Sequence, residues 1–482
     1  MTDPGAASPP VLPDEQTRMR SPSDSRSDRA ATGKAARATA PLDSHSALDL
    51  APDRDPIGLL LQQATSRVPD LVPLRYGRML VSPFTFFRGA ALPMAADLAG
   101  TPVSGLRVQL CGDAHLSNFG AYASPERRLV FDLNDFDETL AGPFEWDVKR
   151  YAASVEIAAR DNGFASADRR KIRLGAVRSY REAMQMFAAM PTLDVWYARV
   201  DVKNAVRRYK QALGGTRYRA TKAMMAKARK RDSTQALGKL TRLVDGRRRI
   251  VSDPPLVVPV EELFTDVESG EAYAVLQDLV ASYGHSLDAN RRHLLHEYRL
   301  VQVARKVVGV GSVGTRVWIL LMESDGGEDF LFLQAKEAQQ SVLAAYAGHS
   351  PYDNQGERVV VGQQLMQAVS DIFLGWQRTN WRDGVDRDYY LRQLRDWKFS
   401  APIGSMVPVG MQSYADLCSW TLARAHARTG DRIAIAAYLG GSTKFDHADA
   451  EFAEAYADLT ERDHAALQAA VDAGRVEARS DL

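Results

Sequence analysis

Three polar residues have types and spacing suited to phosphoryl transfer. Asp113 lies in CGDAHLSNFG (111–120), Asn118 follows five residues later, and Asp135 lies in VFDLNDFDE (130–138). An aspartate in a loop after a strand can accept the proton of a substrate hydroxyl. An asparagine five residues on can ligate Mg²⁺, and an aspartate from the next hairpin can hold Mg²⁺ on the β- and γ-phosphates of a nucleotide. The donor atoms are all oxygens, which suits a hard cation. Single Gly-Asp or Asp-Phe-Asp fragments also serve as turns and caps. The reading therefore rests on the three occurring together, with Asp147 as a fourth.

A second constellation lies further along the chain. Gly309-Val310-Gly311-Ser312-Val313-Gly314 spells GxGxxG. A dinucleotide fingerprint would need a helix directly after the third glycine. Instead, Thr315-Arg316-Val317-Trp318-Ile319-Leu320-Leu321 is β-branched, aromatic and apolar, and it enters a predicted hairpin. A strand, glycine loop and strand make the flap that covers ATP phosphates in kinases, because glycines let backbone N–H groups approach closely. The next predicted strand, FLFLQAKEA, carries Lys336, placed to pair with the α- and β-phosphates. Glu357 and Glu337 are candidates for its acidic partner, with Gln363 as a substitute. The alternative for Lys336 is a surface lysine with a buried stem.

Other readings of these residues fit less well. An EF-hand starting at Asp132 fails because position five is Phe136, position six is Asp137 rather than Gly, and position twelve is Pro143. A metal-dependent phosphoesterase reading of Asp113-x-His115 lacks the Asn-His and His-x-His pairs such sites need, and stays a minor alternative. No GxSxG nucleophile elbow occurs. Arg88, Arg392, Arg395 and Lys398 could contact a phosphate or an anionic substrate, or serve as structural ion-pair partners. Cys418 reads as a core residue, and His426, on the same helix, as a packing or capping residue.

The first constellation resembles a known family. GDAHLSN is similar to the catalytic loop HGDLHPGN of aminoglycoside and choline phosphotransferases, which have the protein-kinase-like fold. The resemblance implies that Asp113 is the catalytic aspartate, His115 the loop histidine and Asn118 a metal ligand. It also implies that Asp135, in Asp135-Phe136-Asp137, is the metal-binding aspartate, and that Asp147 in GPFEWDVKR braces the loop from a helix. Cys111 departs from the pattern, which has His there. Kinases run glycine loop, lysine, hinge, catalytic loop, metal aspartate, whereas here the catalytic loop comes first. After Lys336 come a predicted helix, the strand DYYLRQL at the hinge position, and LCSWTLARAHART, which resembles the helix preceding the catalytic loop. A circular permutation reconciles the two orders, since chain ends can be joined differently without moving packed elements. From about residue 56 to the C-terminus the chain is also similar to the uncharacterised bacterial domain-of-unknown-function family 2252, on segments such as SPFTFFRGAALPMAADLA, FDLNDFDETLAGPFEWDVKR and VVVGQQLMQAVSDIFLGW. That resemblance implies relatives but no reaction.

The elements that must position these residues follow the order β, α, β, α. The expected fold class is α+β, a kinase-like two-lobed fold in permuted order with a helical insertion. Residues 1–55 read as a disordered tail, rich in Ser, Pro, Ala, Asp and Arg. The chain holds 16 Phe, 17 Tyr and 7 Trp, yet its first aromatic residue is Tyr76. Residues 56–150 carry the catalytic-loop and metal segment, and 151–300 a helical, basic insertion. Residues 301–400 form the glycine-loop and lysine lobe, and 401–482 form helices packing on the catalytic lobe.

Composition sets the outer limits. The chain has 482 residues, 45% hydrophobic and 25% charged, which is ordinary for a globular protein with a large core. No run of 18 apolar residues occurs, which excludes a transmembrane helix. The N-terminus lacks a signal-peptide pattern, so a cytoplasmic location is expected. Two cysteines cannot make a disulfide framework. The net charge is +1, but residues 203–249 hold sixteen Lys and Arg against Asp232 and Asp245, a local +14 offset by −13 elsewhere. That field could attract nucleic acid, a phosphorylated substrate or an anionic membrane surface, or simply be a set of solvated helix faces. Tyr209 and Tyr218 are its only aromatics, so no base-stacking platform is interleaved. The leading expectation is an ATP- and Mg²⁺-dependent phosphotransferase acting on a small-molecule or protein hydroxyl, with a nucleotide as partner. The alternative is a non-catalytic, pseudokinase-like binding protein whose basic segment holds nucleic acid or an acidic partner.

Overall fold

LRVQL and RRLVFDL, the apolar runs that flank the Asp113 segment, form strands, and the polar loops between strands carry the motifs. The computed structural model describes residues 24–208, 233–264, 266–327, 329–380, 384–394 and 397–480, with a few isolated positions between 209 and 232. The first described element is helix α1 (Arg26–Ala35), opened by a capping box between Ser25 and Asp28. Residues 24–55 therefore correct the expectation of a disordered tail, while 1–23 lie outside the described residues. Their order comes from ion pairs and close backbone approach, together with Leu42, Ala36, Leu48 and Leu50 packing on the main core. Arg29 grips Asp431 with both nitrogens at 2.7–3.1 Å, and Arg37 donates to the carbonyls of Ala437 and Tyr438. Arg54 bridges Asp97 and Asp463. At Gly33 a Cβ would lie 2.0 Å from the Ala434 carbonyl oxygen, so only glycine lets α1 seat there.

Helix α2 (Pro83–Gly89) leads toward strand β1 (Arg107–Leu110), which pairs antiparallel with β4 (Leu140–Pro143). Between them, β2 (Phe119–Ala123) and β3 (Leu129–Leu133) form a hairpin, with Phe399–Ser400 pairing on β2 and Val200–Asp201 on β3. The Asp113 loop thus joins β1 to β2, and the Asp135 loop joins β3 to β4. Directly after β4 comes α3 (Phe144–Asp161), buried along nearly its whole length, followed by α4 (Ser166–Ala189).

The span 151–300 is less helical than expected. Residues 241–250 form a hairpin of β5 (Thr241–Val244) and β6 (Arg247–Ile250), turned by Asp245 and Gly246 with φ of 49° and 74°. Positive φ at both turn positions is what a two-residue hairpin of this twist requires. Most of the basic run from 209 to 232 lies outside the described residues.

Strand β7 (Val257–Pro259) then joins the main sheet, and helix α5 (Asp266–Tyr283) packs on one face of that sheet. The sheet continues with β8 (Tyr298–Lys306), β9 (Val317–Ser324) and β10 (Phe330–Ala338), followed by helix α6 (Gln355–Met366). Strands β11 (Gly375–Asn380) and β12 (Asp386–Gln393) complete it in the order β11-β12-β10-β9-β8-β7, antiparallel throughout. Alternation along β9 sorts its side chains. Trp318, Leu320 and Met322 join Leu276 and Leu279 of α5 in one core, whereas Ile319 and Leu321 join Phe332 and Ile250 in another. The SDGG segment at 324–327 makes the β9–β10 turn, as its composition suggests.

Helices α7 (Pro408–Thr429), α8 (Arg432–Leu439) and α9 (Lys444–Asp472) close the chain against α3 and α4. Their buried residues merge with those of β1–β4 into the largest core. The architecture is α+β, with several antiparallel sheets. Among the described residues, no helix is long and apolar enough to cross a membrane.

Candidate functional site

Helix α3 sets the Asp113 loop through two residues one turn apart, which face the same side of the helix. Asp147 accepts from the backbone N–H of Cys111 at 2.8 Å and of Gly112 at 3.0 Å, and His426 of α7 reaches it at 3.2 Å. Arg150 donates from Nε to Asp113 Oδ1 at 2.6 Å and from a terminal nitrogen to the Phe87 carbonyl at 3.0 Å. Gly112 has φ of +79°, and a Cβ there would lie 2.3 Å from the Glu138 carbonyl oxygen, so glycine is required at this turn. His426, read from sequence as a packing or capping residue, is instead hydrogen-bonded between Tyr180 and Asp147. Cys111 and Cys418 are fully buried, and burial pushes both thiols well up.

Asn118 donates its amide to the Asp113 carbonyl at 2.6 Å, which leaves its carbonyl oxygen as the group a cation would use. The Asn134 N–H donates to the Asn118 carbonyl at 2.8 Å and ties the two loops together. His115 lies 3.6 Å from Asp113. Burial, then the cations Arg88 and Arg150, hold the His115 imidazole well below its usual range, so it is neutral. Burial raises the Asp113 carboxyl, and Arg150 and Arg88 oppose that shift.

The sheet brings Lys336 to the same place. Strand β10 pairs Lys336 with Val317 on one side and Tyr390 on the other. Lys336 forms an ion pair with Asp137 and lies 3.9 Å from Asp135. Its partner is therefore none of the three candidates. Glu337, the next residue of the strand, points to the opposite face and meets Arg316 and Arg387. Glu357 sits in the first turn of α6, and Gln363 bonds to Gln367. Asp137 also accepts from the Tyr390 hydroxyl at 2.8 Å and from Ser312 of the glycine loop at 3.2 Å. Burial would raise Asp137, but Lys336 and Tyr390 outweigh it and hold the carboxyl below the usual range. Asp135 moves the other way, raised by burial and by repulsion from Asp137.

The glycine loop joins β8 to β9, and a strand follows it as expected. Its carbonyls are held from the N-terminal segment: Arg78 donates to Gly309 at 2.7 Å, Arg67 to Val313, and the Val68 N–H to Gly314 at 2.7 Å. A Cβ on Gly311 would lie 3.2 Å from the Arg88 carbonyl.

Two cavities meet at these residues. One, of about 780 Å³, is lined by Asp113, His115, Asp137, Glu138, Gln339 and His349. The other, of about 500 Å³, is lined by Lys336, Arg392, Tyr122, Ile372 and Leu394, with Lys398 at its edge. Arg88, Asn118, Asp135, Gly309 and Ser312 line both. The structure thus gathers Asp113, His115, Asn118, Asp135, Gly309, Gly311, Ser312 and Lys336 on one connected space, while Gly314 turns at the flap's end beside Arg67. Arg395 lies outside the described residues. Sequence reasoning missed Asp137, Tyr390 and Arg150. Asp137 is the second acid of the Asp-Phe-Asp pattern, and Arg150 lies one turn beyond Asp147, so both had a signal nearby.

Asp135 and Asn118 offer two oxygen donors for a cation. Among the described residues, no group of three or more His, Cys, Asp or Glu side chains is arranged to hold a metal. That donor set fits a Mg²⁺ ion that completes its shell with phosphate and water oxygens, as it commonly does at nucleotide sites.

The family described as an uncharacterized protein conserved in bacteria, DUF2252, matches residues 67–470. The chain belongs to that family. No curated protein and no solved structure matches it. Every residue that lines both cavities falls within the DUF2252 match, as do Asp113, Asp137 and Lys336.

Proposed function

We propose that this protein is an ATP- and Mg²⁺-dependent phosphotransferase with a permuted kinase-like, two-lobed fold, acting on a small-molecule or protein hydroxyl. The observation that carries this reading is the meeting of two cavities on Asn118, Asp135 and Arg88, one holding Asp113 and the other holding Lys336. A group can pass from a donor in one chamber to an acceptor in the other only where both open on the same few atoms. The arrangement of the sheet supports the same reading. The glycine loop joins two neighbouring strands, the lysine lies on the next strand, and a helix follows it. The permutation is supported by α7, whose Thr429 accepts from the Gln109 N–H of β1 at 3.2 Å. The helix therefore ends beside the strand that leads into the Asp113 loop.

The chamber with Lys336 and Arg392 suits the nucleotide: cations face its phosphates, and Tyr122, Ile372 and Leu394 offer apolar surface to a base. Asn118 and Asp135 would hold Mg²⁺, which would screen the charge of the β- and γ-phosphates. Lys336 would release Asp137 in part and pair with phosphate. In the other chamber, Asp113 would orient the acceptor hydroxyl and take its proton. The hydroxyl oxygen forms a bond to the γ-phosphorus as the bond to the bridging oxygen breaks, and that electron pair leaves with ADP. Neutral His115 and Arg150 would fix the Asp113 carboxylate for this step.

Calorimetry with Mg²⁺–ATP is the test. Wild type is expected to bind, Asp113→Asn to bind within about threefold of wild type, and its turnover to fall by about 10³-fold. Absence of binding to wild type would refute the reading.

A further inference from the structure

Three cations that act on Asp113, Asp135 or Asp137 are engaged. Lys336 pairs with Asp137, Arg150 with Asp113, and Arg392 donates to Gln334 Oε1 at 3.1 Å. Arg88 is the exception. Its Nε is buried without a hydrogen-bond partner, and its guanidinium forms no hydrogen bond or ion pair with any described residue. Buried donors are almost always satisfied, which makes this Nε–H an exception, although Arg88 as a whole is only half-buried. Asp113 and Asp135 are close enough for their charges to act on Arg88, yet neither bonds to it. Its position is well fixed: it lies near the end of α2, Phe87 beside it is gripped by Arg150, and its own carbonyl abuts Gly311 of the flap. The side chain lines both chambers.

A cation so placed feels Asp113 and Asp135 through space but has no bonded anion at the point where the chambers meet. Within the phosphotransferase reading, on which this step rests, only the γ-phosphoryl group passes through that point. It carries charge on three equatorial oxygens while its bond to the acceptor oxygen forms and its bond to the bridging oxygen of ADP breaks. We infer that Arg88 is a catalytic residue that binds the phosphoryl group in flight, an arginine supplied in cis by the segment ahead of the catalytic loop. It would contribute little to ATP held in the ground state, since Lys336 and Arg392 already face that chamber. Its hydrogen bonds would strengthen as charge shifts toward the junction.

The test separates ground state from transition state. Binding of Mg²⁺–ATP is compared with binding of Mg²⁺–ADP–fluoroaluminate, a planar anion that stands in for the transferring phosphoryl group, in wild type, Arg88→Ala and Arg88→Lys. Arg88→Ala is expected to lose about 100-fold or more in affinity for the fluoroaluminate complex while Mg²⁺–ATP changes by less than about threefold. Arg88→Lys keeps the charge but not the fork, and should recover only part of that loss. Equal weakening of both ligands would make Arg88 an ordinary phosphate ligand and overturn the inference. Unchanged binding of both would overturn it too. Thermal melting identifies a variant that has lost its fold, and Arg88→Lys and Arg88→Gln then carry the comparison. Wild type that binds neither ligand would fail the phosphotransferase reading itself, a result distinct from wild type binding both and Arg88→Ala matching it.

Discussion

The two sides of the site are held in opposite ways. On the loop side, each group is fixed by a residue that lines neither cavity: Asp147 grips the loop backbone, and Arg150 grips Asp113 from the same helix. On the sheet side, the polar groups are held by one another. Lys336, Tyr390 and Ser312 all converge on Asp137. The first arrangement is anchored on helix α3, which lines neither cavity. The second is a neutral stand-in for a ligand, a cation and an anion that a phosphate and a metal could separate. A preorganised base beside an exchangeable ion pair is what a two-substrate transfer would use, since only the donor's chamber must reorganise on binding.

Cutting the brace should give the largest change in stability. Asp147→Ala leaves the buried N–H groups of Cys111 and Gly112 without an acceptor, at a cost of about 4 kcal/mol. Asp147→Asn keeps an acceptor oxygen and should cost about half as much. Urea denaturation measures both. If Asp147→Ala costs less than about 1 kcal/mol, the loop is held by its own turn rather than by α3, and the contrast between the sides is lost.

The exchangeable pair should respond next. Lys336→Met strands Asp137 and Asp135 side by side in a buried setting, and the expected loss is about 3 kcal/mol. Adding Asp137→Leu removes the uncompensated charge and should restore much of that stability. A double-mutant cycle with a coupling near zero would mean that the pair is not a unit, and that the sheet side is fixed by packing just as the loop side is.

How much of this could be read from sequence depended on what holds each part together. Strands β1 and β3 and the placing of Asp113, Asn118 and Asp135 in the loops that follow them were legible because apolar runs and loop polarity are local signals. The flap was legible because β-branched and aromatic residues follow Gly314. The partner of Lys336 was not, because Asp137 lies 199 residues away and the choice between Lys336 and Glu337 turns on which face of β10 meets the loop. The segment 24–55 was read as disordered from its composition, yet it is ordered by Arg29, Arg37 and Arg54 reaching groups some 400 residues distant or, in one case, Asp97. Polarity reports how little apolar surface a segment can bury. It does not report specific ionic partners elsewhere in the chain. The hairpin at 241–250 carried an Asp-Gly turn signal that its basic composition obscured.

The smallest expected effect concerns the contact that joins the two sides. Glu138, on the loop side, accepts from the Val342 N–H at 2.7 Å, and its carbonyl accepts from Ser341 at 2.9 Å just beyond β10. Burial pushes its carboxyl up to about 7, with Asp137 and Asp113 adding to the rise and the Val342 N–H and Arg358 opposing it. Arg67 is the further charge that acts on it. The folded value lies above the unfolded one of 4.5, so the unfolded chain gives up this proton first. Stability from this group is complete below the unfolded value and falls as pH rises through the folded one, by about 2 kcal/mol between pH 5 and pH 7. Glu145 is raised to about 7 as well and slopes the same way, so the comparison must be wild type against Glu138→Gln. The variant keeps an acceptor for Val342 but cannot ionise, and its urea midpoint should fall less steeply over that range. Identical slopes would show that Glu138 ionises freely in the folded protein, and that the joint between loop and sheet carries no buried proton.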